Sequence, residues 1–221
     1  ASSFILESEE AQATLARIRK RGLPVVELSD NYGVDSVCAD YREATKEVMS
    51  YLFSLGHRRI GMIHGIGGHE LAIDRLNSYS DSLNARGISI DPELIAQCGP
   101  TIEDGYQAAL ELLKLPSRPT AIIAINDLLA ISAVRAAADL SLQVPKDISF
   151  VSYDNIPMAN YLVPRLTTVT KDALTLGRKA FQVLLTRIQT PELPRQQFYS
   201  PARLIIREST GLVPSNDIVD P

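Results

Sequence analysis

The chain has 221 residues, 45% hydrophobic and 22% charged, the composition of a globular protein with room for one large core or two small ones. Its 22 Lys and Arg stand against 26 Asp and Glu, a net charge of −4 with a pI near 5.4, so it has no general attraction for a polyanion. No apolar run approaches the roughly 20 residues needed to span a bilayer, and the opening ASSFILESEE has neither a basic n-region nor a long apolar h-region.

Along the chain the apolar pattern alternates between the strand and helix periods. Ser3–Leu6 reads as a short strand, and Glu9–Arg21 as a helix with Ala11, Leu15 and Ile18 on one face, stopped by Gly22. Strands follow at Leu23–Leu28 and Ser36–Ala39. Asp40 suits the N-cap of a helix over Arg42–Leu55, which Gly56 closes. The cycle then repeats: strand Ile60–His64, helix Leu71–Arg86, strand Leu94–Cys98, helix Glu103–Leu115. Strand Ala121–Ile125, helix Leu128–Leu140 and strand Ile148–Val151 come next. Between Asp154 and Lys171 lies an extended connector punctuated by prolines, then helix Lys171–Gln189, strand Phe198–Arg207 and a loose polar tail from Gly211 to Pro221. This βαβα order predicts an α/β fold of parallel sheets with right-handed crossovers.

The segment 119–155 carries the functional argument. Two apolar strands run straight into polar residues, Asn126-Asp127 after one and Ser152-Tyr153-Asp154-Asn155 after the other. In a parallel sheet the carboxyl ends of strands face one crevice, where ligands bind. Asn126 there offers donors and acceptors that can bridge adjacent hydroxyls, and Asp154 accepts charge-assisted bonds. The competing readings are that Asn126-Asp127 caps the following helix, with Asp127 the capping residue, and that Asp154 forms a turn before Pro157. Arg75 presents a fixed fork of donors suited to a sugar ring or a carboxylate. Asp40 is first of all a helix cap and second a cleft residue. The Gly65–His69 loop precedes a helix whose free N–H groups could meet a ligand. His57 reads as structural, and Cys38 and Cys98 as buried thiols in a reducing cytoplasm, without metal or disulfide spacing.

Several segments together resemble the effector-binding core of LacI/GalR-type transcriptional regulators. They are LFSLGHRRIGMIHG (52–65), Arg75 within AIDRLNSY, PTAIIAIND (119–127), Val144-Pro145-Lys146-Asp147-Ile148-Ser149, Pro164-Arg165-Leu166-Thr167-Thr168-Val169 and Arg207-Glu208-Ser209-Thr210. The resemblance implies a two-lobed periplasmic-binding-protein-like fold, each lobe a parallel sheet flanked by helices, with strand crossovers between lobes. On that pattern residues 1–64 plus 170–198 form a first, incomplete lobe and residues 65–163 plus 199–210 a second. It implies a small-molecule effector, a sugar or related metabolite, bound between the lobes by Arg75, Asn126, Asp154, Asp40 and Lys171. It further implies a cytoplasmic homodimer, with operator DNA held by a headpiece that is not in this sequence, and no cofactor, metal or membrane. Dimer contacts would come partly from the helix matching Leu128–Ala137 and from the segment after Asp154.

Two departures bear on the ligand. Pro100 and Ala173 stand where sugar-binding members often place a stacking aromatic ring, leaving Tyr32, Tyr79, Tyr153 or Tyr161 as candidates for that face. Lys171 stands where a neutral polar residue is common, and with Arg75 it hints at a carboxylate or phosphate on the ligand. The rival reading is a periplasmic sugar-binding protein of a transport system. An enzyme is disfavoured: no GxSxG, P-loop, HExxH or CxxC occurs, and no nucleophile accompanies Asp40 and Asp154.

Overall fold

Residues 9–28, 33–65 and 70–214 are described by the computed structural model. Among them are six helices and eight strands. In order these are α1 (Glu9–Lys20), β1 (Val26–Glu27), β2 (Asp35–Asp40), α2 (Tyr41–Ser54), β3 (Ile60–His64), α3 (Glu70–Asn84) and β4 (Ile95–Gln97). They continue with α4 (Ile102–Leu113), β5 (Ala121–Ala124), α5 (Asp127–Asp139), β6 (Ser149–Tyr153), β7 (Thr167–Lys171), α6 (Ala173–Gln189) and β8 (Gln197–Ile205). The strand expected at Ser3–Leu6 lies outside the described residues. The chain divides into two compact units, Ala1–Asp40 with Asp172–Pro201, and Tyr41–Lys171 with Ala202–Pro221.

In the first unit β2 runs parallel to β1 and to the opening half of β8, from Ser36↔Gln197 to Asp40↔Pro201. Helix α6 packs on β2 and β1. A two-pronged ion pair fastens it there: Arg187 Nε and Nη2 each donate to an Asp35 oxygen at 2.7 Å. The same guanidinium caps the carbonyls of Pro191 at 2.8 Å and Pro194 at 2.9 Å, and that of Leu193, which turns the chain back into β8. Its hydrogen bond holds the Asp35 carboxyl below the ordinary carboxylate range.

The second unit is a mixed sheet in the order β4-β3-β5-β6-β7-β8. All neighbours are parallel except β7 and β8, which pair antiparallel from Thr168↔Ile205 to Lys171↔Ala202. Its strands are near-continuous apolar runs because both faces are covered: Ile60, Met62, Ile63, Ile122, Ile123, Phe150 and Val151 are fully buried. Helices α4 and α5 pack together, as do α2 and α3. Gly105 permits the close approach of the first pair, since a Cβ there would sit 2.6 Å from Ser132 Oγ and 3.0 Å from the Leu129 backbone. Gly56, at φ +91°, turns the chain out of α2 in a conformation that suits glycine.

The structure departs from the sequence expectations in three places. The chain over 167–171 is a strand, so Lys171 lies on β7 and not at the start of a helix, and the second sheet is mixed instead of wholly parallel. Residues 41–64, expected in the first lobe, pack in the second unit because β3 pairs with β4 and β5. The start of the expected tail is also tied down. Gly211 N donates to Ser149 Oγ at 3.1 Å, and Val213 N to the Leu55 carbonyl at 2.9 Å.

Candidate ligand-binding site

A cluster in the second unit forms at the carboxyl ends of β3, β5 and β6. Helix α3 carries Arg75 inward until it is only 7% exposed. Its guanidinium lies 4.2 Å from the centre of the Tyr41 ring and 4.7 Å from that of Tyr153. These rings meet edge to face at 84°, with centroids 5.7 Å apart, and form an aromatic corner around the cation. Arg75 Nη1 donates to the Ile125 carbonyl at 3.1 Å, where β5 has just ended. Among the described residues Arg75 Nε is buried with no partner, and so is His64 Nδ1 at the end of the adjoining strand β3. Burial and the charge of Arg75 both hold the His64 imidazole below its usual range, so it is neutral at pH 7.

Both rings are anchored elsewhere. The Tyr153 hydroxyl shares a 2.7 Å hydrogen bond with Thr45 Oγ1 of α2, and burial pushes its pKa up to about 12. The Tyr41 hydroxyl accepts from Lys171 Nζ at 3.0 Å, and the same ammonium lies 3.0 Å from Asp154 Oδ1. Burial alone would lower the pKa of Lys171; Tyr41 and Asp154 together outweigh it and hold the group above its usual value. Asp154 has φ 105° and Asn155 φ 52°, both in the region that L residues rarely adopt. The turn survives because its surroundings fix it: Asp154 N donates to the Val169 carbonyl at 2.9 Å, and Asn155 Oδ1 accepts from Arg207 Nη2 at 2.6 Å.

Asn126 takes the capping role expected of Asp127, and Asp127 turns into the core. Asn126 is the N-cap of α5, its Oδ1 accepting from Leu129 N at 2.9 Å, which leaves its amide NH2 and the second lone pair of Oδ1 to meet a ligand. Asp127 is fully buried and acts as a junction. It accepts from Ser152 Oγ of β6, from Thr168 Oγ1 of β7 at 2.6 Å and from Ile156 N at 2.7 Å. Burial nonetheless leaves its carboxyl above the ordinary range.

The structure therefore brings Arg75, Asp154 and Lys171 together around Tyr41, with the half-buried Asn126 just beyond β5, next to the Ile125 carbonyl that Arg75 holds. Asp40 is the last residue of β2, in the first unit, immediately before Tyr41. Residues 66–69 of the Gly65–His69 loop, and Tyr32, lie outside the described residues. Of the remaining stacking candidates, Tyr153 is wholly buried against Arg75 and so presents no free face. Tyr79 is buried with its hydroxyl on the Ile60 carbonyl at 2.8 Å, and Tyr161 is 84% exposed on the 3-10 turn that follows β6. Tyr41 escaped sequence reading, because it looks like an ordinary helix start until the fold sets its ring on Arg75. His57 is structural: fully buried, it bonds Thr120 Oγ1 at 2.9 Å and the Gly211 carbonyl at 3.0 Å. Cys38 is buried and Cys98 half-buried, with burial pushing the Cys98 thiol up to about 11. Among the described residues no group of His, Cys, Asp and Glu could hold a metal ion, and no helix is long and apolar enough to cross a membrane.

Comparison with known proteins places this geometry. The periplasmic binding protein-like domain model matches residues 49–210. The HTH-type transcriptional repressor CytR of Escherichia coli K12 is 33% identical over 199 residues, covering 88% of this chain and 58% of the repressor. The chain thus spans less than two thirds of that relative's length. Among solved structures, a LacI-type regulator of Bacillus cereus subsp. cytotoxis superposes with a TM-score of 0.83 at 30% identity, covering 89% of this chain and 71% of that one. A LacI family regulator of Enterococcus faecium with bound ribose gives 0.81 at 29% identity, over 93% and 76%.

Proposed function

The chain belongs to the periplasmic-binding-protein-like family and is homologous to LacI-type repressors, and on that footing we propose that it is the effector-sensing domain of a transcriptional regulator. The observation that carries this reading is Arg75: a cation 7% exposed, with an Nε unpartnered among the described residues, at the strand ends where an open α/β sheet takes its ligands. Arg75, the amide of Asn126, Asp154 and Lys171 are the contacts we assign to the effector, with Asp40 a further candidate from the first unit. A sugar or related small metabolite is the ligand class, supported by the ribose in the Enterococcus faecium regulator.

The ligand acts by differential affinity for two arrangements of the regulator, a coupling of about 1–3 kcal/mol. Operator DNA is contacted by a headpiece outside this chain, in a cytoplasmic homodimer. Exposed Leu128, Met158, Tyr161 and Val163 around the start of α5 and the turn after β6 support an apolar dimer face there. The repressor relatives favour this reading over a transport protein, and they are not enzymes.

Thermal-shift and calorimetric titration of the protein against sugars, sugar acids, sugar phosphates and nucleosides tests the proposal. Saturable binding that is lost in Arg75→Met is the expected result. Turnover of a ligand, or no binding across the panel, would overturn it.

A further inference from the structure

The second unit holds two partly or wholly buried cations at the site, and their charges are not equally spent. Lys171 is paired with Asp154 at 3.0 Å and donates to the Tyr41 hydroxyl at 3.0 Å. Arg75 is the more deeply buried, yet among the described residues it makes no ion pair. Its hydrogen bond goes to a neutral carbonyl and its Nε has no partner. An isolated charge in such a place is costly unless something neutralises it. The aromatic corner of Tyr41 and Tyr153 offers partial compensation only. It has a second consequence: both rings are spent on the guanidinium, so they cannot serve as a platform for the apolar face of a pyranose. What Arg75 itself has left to offer is a donor edge.

Resting on the effector reading above, we propose that the group Arg75 receives is a carboxylate, and that the effector is a sugar acid (a uronate or aldonate) and not a neutral sugar or a phosphate ester. One uncompensated positive charge matches one negative charge. The fork geometry of a guanidinium edge matches the two coplanar oxygens of a carboxylate, for which charge-assisted bonds are the strong kind. His64, which ends β3 beside the strand leading to Ile125, adds the second unpartnered buried nitrogen and can donate from Nδ1 to the same anion. A phosphate monoester carries about −1.5 to −2 at pH 7. Against a single free positive charge it would leave net negative charge near Asp154 and the buried Asp127. Tyr41 is then a positioning residue. Its ring holds the guanidinium and its hydroxyl holds Lys171 beside Asp154, so that the charge of Lys171 is already balanced.

The test is calorimetry on the unmodified protein with matched ligands: galactose, galacturonate, the methyl ester of galacturonate and galactose 6-phosphate. The glucose and glucuronate counterparts, gluconate and a nucleoside set run in parallel. The expected result is an acid bound at least tenfold more tightly than its neutral hexose, its phosphate and its own methyl ester, with Arg75→Met erasing the difference. The ester comparison removes the charge from the ligand and so does not depend on any variant folding. A neutral sugar, nucleoside or sugar phosphate bound as tightly as the acids would overturn the carboxylate proposal while leaving the sensor reading intact. No binding in any arm would overturn both.

Discussion

Asp127 and Thr168 are 41 residues apart in sequence, yet the Asp127 carboxylate accepts a 2.6 Å hydrogen bond from the Thr168 hydroxyl in the core of the second unit. With Ser152 and Ile156 as further donors, one side chain at the start of α5 ties β6 to β7 and fixes the turn that carries Asp154. Asp127→Ala should lower stability by about 2–3 kcal/mol, because buried donors lose their acceptor. Asp127→Asn should cost less than that, since the amide keeps an oxygen and the hydroxyls can rotate to accept. The Asp127 carboxyl titrates above its ordinary value of 3.8 in the folded chain, so its favourable contribution is full below 3.8 and is lost as pH rises through the folded value. Urea midpoints of wild type and Asp127→Asn across the acid range should therefore converge or cross as pH rises.

Arg75 sets binding against stability. Losing its ring contacts costs about 0.5–2 kcal/mol, whereas relieving an uncompensated buried charge returns several kcal/mol. Arg75→Met should raise the unfolding free energy by about 1 kcal/mol, read as a higher urea midpoint, and abolish effector binding. A destabilised variant would show that the aromatic corner compensates the charge more fully than the geometry suggests.

Asn126 has two separable jobs, capping α5 and offering an amide to the ligand. Asn126→Ala should cost about 0.5–2 kcal/mol of stability through the lost cap. Asn126→Ser should keep most of that stability, since serine caps well, and still weaken effector binding. Paired denaturation and calorimetry on the two variants separate the roles; a serine variant that binds normally would make Asn126 a cap alone.

Acid sensitivity should trace to two buried histidines. Burial is the main cause that holds His57 and His64 below the ordinary imidazole value of 6.5 in the folded chain. The unfolded chain therefore takes up protons first as pH falls, and the stability these residues contribute is full above 6.5 and lost below it. Urea midpoints measured from pH 8 to 5 should fall for the wild type. His57→Gln should flatten that slope in part, and His57→Gln with His64→Gln further. An unchanged slope in the double variant would assign the acid loss to other groups.

Much of the architecture was legible along the chain. Strand β3 falls on the expected Ile60–His64, and β5, α4 and α5 begin or end within two residues of their expected places. Long apolar runs and glycine stops are local signals that a periodicity argument can read. Strand β7 was missed because its buried Thr167 and Thr168 read as polar connector. Their hydroxyls are satisfied by Thr210 Oγ1 and Arg207 N on Thr167 and by Asp127 and Asn155 N on Thr168, which makes burying them tolerable. Likewise, Asn and Asp at 126 and 127 both suit a helix start, and which one caps and which one turns into the core depends on where β6 and β7 supply hydroxyls.

The sequence by itself determined the α/β alternation, the family, and Asn126 and Asp154 as a strand-end pair with Arg75 as a third candidate, because period, turn chemistry and motif order are written locally. Tertiary structure alone decided which charges are spent. Lys171 meets Asp154 and Tyr41 across 17 and 130 residues of chain, and Arg75 meets two rings and, among the described residues, no carboxylate. Charge compensation is a property of distance and burial, and neither is set until strands from different parts of the chain lie side by side.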